Sequence, residues 1–132
     1  MNLILDTSIL IELERRNKEV IEGLDKARKI YPAPAKIGFV QYFEFMYGLR
    51  KKSPKNKDKS KEFVERFEVL QTTKITAEIL IMLKEKYELP LADLLIASQV
   101  LENKGILITK DRDFDKIKEI KKIVLWAGLF VS

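Results

Sequence analysis

"NLILDTSIL" (residues 2–10) carries the reading of the fold. Leu3, Ile4 and Leu5 are apolar without alternation, as in a short strand buried on both faces. The run then meets a carboxylate, Asp6, and two hydroxyls, Thr7 and Ser8, before apolar residues resume with helical spacing. In an open α/β sheet, ligands collect outside the carboxyl ends of the strands. An acid here therefore stands in the functional crevice. The competing reading makes Asp6 the N-cap of a helix starting around Ser8. Thr7 or Ser8 would serve that purpose equally well, so capping alone does not require an Asp.

Working outward, helices are expected over 8–16 and 17–29, a turn at "YPAPA" (31–35) and a brief strand at 36–39. An aromatic-rich helix follows over 40–51. The basic run "RKKSPKNKDKSK" (50–61), interrupted by Pro54, reads as an exposed connection between two helices. A helix over 60–70, a third strand over 69–73 and a helix over 76–87 with Thr76 as N-cap come next. The helix over 90–105 has Pro90 near its start and Gly105 just past its end. A strand at 105–109, a short helix at 113–120 and a last strand at 123–126 complete the chain. Short apolar strands alternating with helices predict an α/β fold with a mainly parallel sheet covered on both faces.

The chain has 132 residues, is 46% hydrophobic and forms one domain's worth of core, so a single domain over 1–132 is expected. It contains neither cysteine nor histidine. That composition excludes disulfides, cysteine-based zinc sites, thiol nucleophiles, histidine bases and Ser-His-Asp triads. No apolar run reaches the roughly 18 residues of a membrane span, and the N-terminus lacks the pattern of a signal peptide. A soluble, cytoplasmic protein is expected. The net charge of +5 (25 basic against 20 acidic residues) favours an anionic partner such as nucleic acid. A Lys/Glu-rich surface of a heat-adapted protein accounts for it equally well.

Three further acids stand out. Glu44 lies among Tyr42, Phe43, Phe45 and Met46, on a helix whose apolar residues predict burial, where an unpaired charge is costly. The alternative places it on a polar stripe beside Gln41 or Lys51. Asp93 is the sole charge in "PLADLLIAS", with no Lys or Arg within four residues. The helix dipole contributes roughly 0.3–1 kcal/mol there, too little to offset burial of an unpaired charge. Asp111 follows the strand "ILIT" in "TKDRDFDKI". Of its neighbours, Asp113 suits a helix cap and Asp115 a solvent-facing first turn. Clustered carboxylates repel and need a counter-ion. A hard divalent cation, Mg²⁺ or Mn²⁺, suits all-oxygen donors.

"LDTSIL", "YFEFMYGL", "LADLLIAS" and "LITKDRDF" together resemble, in order and spacing, the four signature segments of PIN domains, and most closely the VapC-type toxin ribonucleases. The resemblance spans residue 3 to about 126. It implies a three-layer α/β/α sandwich and Mg²⁺- or Mn²⁺-dependent endoribonuclease activity. It carries the catalytic acids onto Asp6, Glu44, Asp93 and Asp111. Metal ligation falls on Asp6, Asp93 and Asp111, with Glu44 and Asp113 as further candidates. Thr7, Ser8 and Thr109 become supporting hydroxyls around the ligands. Lys110, Arg112, Lys51, Lys52, Lys55 and Lys57 are candidate phosphate contacts. A small antitoxin partner and a homodimer are also implied.

Other readings stand beside this one. A receiver-type signalling domain needs adjacent acids after the first strand, whereas Asp6 is followed by Thr7. A PIN nuclease that matures RNA without an antitoxin, and a PIN module that binds without cutting, share the same four segments.

Overall fold

The structure is a computed structural model describing residues 1–126 and 129–131, with side chains described through residue 125. Its sheet runs in the order β3-β2-β1-β4-β5-β6. The strands are β1 (Asn2–Leu5), β2 (Lys36–Ile37), β3 (Glu68–Val69), β4 (Gly105–Thr109), β5 (Lys121–Trp126) and β6 (Leu129–Val131). The first five are parallel, and β6 returns antiparallel to β5. The antiparallel sixth strand was not expected from the sequence.

Among the described residues six helices cover the sheet: α1 (Thr7–Glu14), α2 (Lys18–Ile30), α3 (Phe39–Gly48), α4 (Pro54–Val64), α5 (Lys74–Lys86) and α6 (Leu91–Glu102). The unalternating apolar strands explain the three layers. Leu3 and Leu5 of β1, with Ile106 and Ile108 of β4, face a core built with α1, α2, α4 and the Phe45 side of α3. Ile4 and Leu107 face the opposite core, with Leu83 of α5 and Leu94, Ile96, Ala97 and Val100 of α6. Close approach at β4 requires Gly105, because a Cβ there would stand 2.4 Å from Ile4 Cδ1.

Four local expectations are corrected. The basic run is not a connection: Leu49–Lys51 form a 3₁₀ turn and α4 begins at Pro54. Ser53 caps α4 and Pro54 occupies its first turn, where a missing N–H costs nothing. The cap of α5 is Thr73, with Thr76 completing a capping box from the third helical position. Past α6 the left-handed residue is Lys104 (φ 51°), not Gly105, which already belongs to β4. Finally, the short helix expected within 113–120 is a 3₁₀ turn over Arg112–Lys116, and β5 starts at Lys121.

Because β1 sits between β2 and β4, the chain winds one way from β1 and the other way from β4. Their carboxyl ends flank the topological switch of the sheet, the crevice where α/β sheets bind ligands. Asp6 and Asp111 lie just past those two strands.

Candidate active site

Asp6 is both things that the sequence set against each other. It caps α1, its Oδ1 accepting the Thr7 N–H at 2.9 Å, and it is 7% exposed at the switch point. Its Oδ2 accepts from Thr109 Oγ1 at 2.6 Å and from Ser8 Oγ at 3.2 Å. Burial pushes the Asp6 carboxyl above its ordinary range. The hydrogen bonds from Thr109, the Thr7 backbone and Ser8 pull it back, and the Asp111 charge pushes it up again.

Thr109 closes β4 and is fully buried. Its hydroxyl donates to Asp6 and accepts the Asp111 N–H at 2.9 Å, so one side chain ties both strand-end acids. Asp111 is half-buried, and its Oδ1 accepts the Asp113 N–H at 2.8 Å, capping the 3₁₀ turn. Asp113 is exposed and stands 3.7 Å from Lys116. Of these two acids, Asp111 is the one oriented by Thr109.

Glu44 corrects its expectation. It is exposed rather than buried, because Phe39, Phe43 and Tyr47 on the same helix are themselves uncovered. Its partner is neither Gln41 nor Lys51: Thr7 Oγ1 donates to Glu44 Oε1 at 2.6 Å. Thr7 thus joins α3 to the end of β1, while Ser8 and Thr109 hold Asp6.

Asp93, in the first turn of α6, is half-buried and accepts no hydrogen bond among the described residues. Its carboxyl is pushed up to about 6, first by burial, then by the charges of Asp111, Asp6, Asp113 and Glu44. The end of β1, helix α3 and the turn after β4 therefore bring four acids within electrostatic reach of Asp93. Among the described residues, Asp6, Glu44, Asp93 and Asp111 make no ion pair with a Lys or Arg nitrogen.

An oxygen-only, acid-rich donor set without a protein counter-ion fits Mg²⁺ or Mn²⁺. Among the described residues no group of three or more acids is placed so that together they could hold a metal ion. Mg²⁺ does not need one, since it retains several waters and takes one or two carboxylates directly.

The basic candidates are placed unevenly. Lys52 is engaged, donating to Glu14 Oε1 and Ser60 Oγ at 3.1 Å each. Lys110 stands 3.8 Å from Glu12, and Arg112 3.1 Å from Asp115. Lys51 and Lys55 are exposed and Lys57 is half-buried. A cleft of about 180 Å³ between α1 and the end of α3 is lined by Glu44, Arg15 and Lys52 among others.

The sequence reading missed Gln99, fully buried on α6. Its Oε1 accepts the Phe39 N–H at 2.9 Å and its Nε2 donates to the Leu70 carbonyl at 3.0 Å. It thereby supplies to α3 the cap that Gly38 cannot. A polar residue in an apolar helix run was the only available signal.

Residues 3–120 match the PIN domain family profile. The chain belongs to the PIN domain family. No curated protein matches it significantly in sequence. Among solved structures, this PIN domain is similar to a chain of a toxin–antitoxin complex from Klebsiella pneumoniae, at 24% identity over 90% of this chain and 95% of that one, TM-score 0.74. VapBC2 from Rickettsia felis, bound to a promoter DNA fragment, aligns at 21% identity over 92% and 97% of the two chains, TM-score 0.76. VapBC-1 from nontypeable Haemophilus influenzae aligns at 20% identity over 95% and 98%, TM-score 0.72. The family expected from the four sequence segments is thus the family found.

Proposed function

We propose that this PIN domain is a cytoplasmic, Mg²⁺- or Mn²⁺-dependent endoribonuclease, the toxin of a toxin–antitoxin pair. The observation that carries the nuclease reading is the gathering of Asp6, Glu44, Asp93 and Asp111 around the switch point with no ion pair to a protein cation among the described residues. The toxin reading draws on the neighbours, which are themselves toxin–antitoxin and VapBC structures. Among the described residues no helix is long and apolar enough to cross a membrane. A homodimer is supported by the exposed apolar residues Ile75, Ile81, Met82 and Leu91, from α5 and the start of α6.

In this reading Asp6, Asp93 and Asp111 would hold the metal, one or two of them directly and the rest through its bound waters, with Glu44 and Asp113 as further acids. The ion, when bound, supplies Lewis-acid stabilisation of the phosphate and lowers the pKa of a coordinated water. Ser8 and Thr109 keep Asp6 aimed at the crevice. Thr7 occupies Oε1 of Glu44, leaving Oε2 to accept a proton from the attacking water. Lys51, Lys55, Lys57, Lys110 and Arg112 neutralise flanking phosphates; Lys52 serves that role only if it leaves Glu14 and Ser60.

The test is cleavage of single-stranded cellular RNA with Mg²⁺, with Mn²⁺ and in EDTA, alongside Asp6→Asn and Asp93→Asn. Metal-dependent scission by the parent and loss of at least a hundredfold in each variant is the expected result. Scission that survives EDTA or Asp93→Asn would refute the mechanism.

A further inference from the structure

Phe39, Phe43 and Tyr47 recur every fourth residue on α3, which places them on one stripe of the helix. Such a stripe ordinarily packs into a core. Here the three side chains are 51%, 54% and 56% exposed. The rings of Phe43 and Tyr47 lie 5.6 Å apart with planes inclined by 10°. The Arg50 guanidinium continues the ladder, 3.8 Å from the centroid of the Tyr47 ring. Its Nη1 donates to the Tyr47 carbonyl oxygen at 2.8 Å, which holds the planar cation in place. Arg50 makes no ion pair among the described residues, and exposed Lys51 follows it.

The ladder begins at the residue before Glu44, whose carboxylate is held by Thr7 at the acid cluster. Two exposed, mutually stacked aromatic rings, a flat cation and a second positive charge at the far end match the chemistry of a single strand. Unpaired bases stack on aromatic rings and guanidinium planes, and cations meet the phosphates between them. We propose that Phe43, Tyr47 and Arg50 form a stacking platform for unpaired bases of single-stranded RNA flanking the phosphodiester at the acid cluster. This rests on the ribonuclease reading and adds to it where the bases lie. A second copy of the chain is a poorer occupant. In a two-fold contact the same patch meets itself, and Arg50 and Lys51 would be brought towards their own copies.

The test uses the full chain in EDTA and single-stranded RNA oligonucleotides containing 2-aminopurine, with binding read by anisotropy and stacking by fluorescence quenching. Phe43→Leu and Tyr47→Leu keep apolar surface but remove the π-face. Each is expected to weaken binding by roughly 5- to 100-fold, the loss that one base–aromatic stack produces, and to relieve quenching. Phe43→Trp is expected to restore both, with an unchanged sedimentation coefficient throughout. Leu variants that bind and quench like the parent would overturn the platform, as would a change of oligomeric state, which would assign the face to a second copy. A parent that neither binds RNA in EDTA nor cleaves it with Mg²⁺ would overturn the ribonuclease reading itself, before any variant is compared.

Discussion

Thr109 Oγ1 lies 2.6 Å from Asp6 Oδ2, a hydrogen bond between residues 103 positions apart that joins the ends of β1 and β4. The same oxygen accepts the Asp111 N–H, so the hydroxyl is used as donor and acceptor at once. Thr109→Val keeps the β-branched shape and removes both bonds. A bond to a charged group contributes about 1.5–3 kcal/mol, so the variant should lose stability of that order in denaturant titration. It should also lose cleavage activity, because Asp6 and Asp111 are no longer held together. Full activity with reduced stability would mean that Thr109 serves the fold alone.

The part of this arrangement legible in the sequence was its skeleton. Leu3-Ile4-Leu5 and Ile106-Leu107-Ile108 announce two-faced burial, and an acid following each points to the sheet edge. What was not legible depends on tertiary cover. Glu44 looked buried because Tyr42, Phe43, Phe45 and Met46 crowd around it, yet burial is decided by what packs against them, and nothing described covers Phe39, Phe43 or Tyr47. Helix α4 was hidden because its first turns are lysine-rich, with apolar residues arriving only at Phe63 and Val64. Pro54 reads as a breaker unless Ser53 is recognised as a cap. The strands β2 and β3 were expected where they lie, but at 36–39 and 69–73 rather than as two-residue strands, because strands this short carry no periodicity to fix their ends.

The metal-free protein should be destabilised by raising the pH through the acid range. Asp93 titrates near 6 when folded, against an ordinary value of 3.8, so between those values the folded state binds more protons than the unfolded chain. Stability contributed by the protonated form is therefore lost as pH rises from about 3.8 to about 6, and Asp6, also raised, acts in the same direction. Asp93→Asn should flatten this slope in chemical denaturation in EDTA. Glu119 works oppositely: Lys86 and Tyr87 hold its carboxyl at about 2, so its contribution is complete above 4.5 and lost only towards pH 2. Measurements between about pH 4.5 and 6 thus report on the acid cluster. A parent and variant with parallel profiles there would refute the repulsion.

Metal should reverse that loss. A ligand at one hundred times its dissociation constant stabilises the native state by about 2.7 kcal/mol if the unfolded chain does not bind it. Saturating Mn²⁺ at pH 7.5 should raise the Tm of the parent by several degrees and leave Asp93→Asn nearly unmoved. Equal shifts in both proteins would point to binding elsewhere.

The basic segment at the start of α4 separates into two kinds of lysine. Lys51 and Lys55 are exposed, and Lys57 is half-buried without an acid partner among the described residues. If they follow RNA phosphates, replacing all three by Gln should reduce the dependence of log K on log salt by about 0.7 for each lost contact. Turnover of saturating RNA should stay near the parental value, because the acids are untouched. Lys52 is different, since its ammonium joins Glu14 on α1 to Ser60 on α4. Lys52→Gln should lower stability by up to about 1 kcal/mol, the scale of a partly exposed ion pair, with little change in salt slope. A triple variant with the parental slope would remove these lysines from the RNA path. A Lys52 variant that flattens the slope without losing stability would show that its ammonium leaves Glu14 for the phosphates.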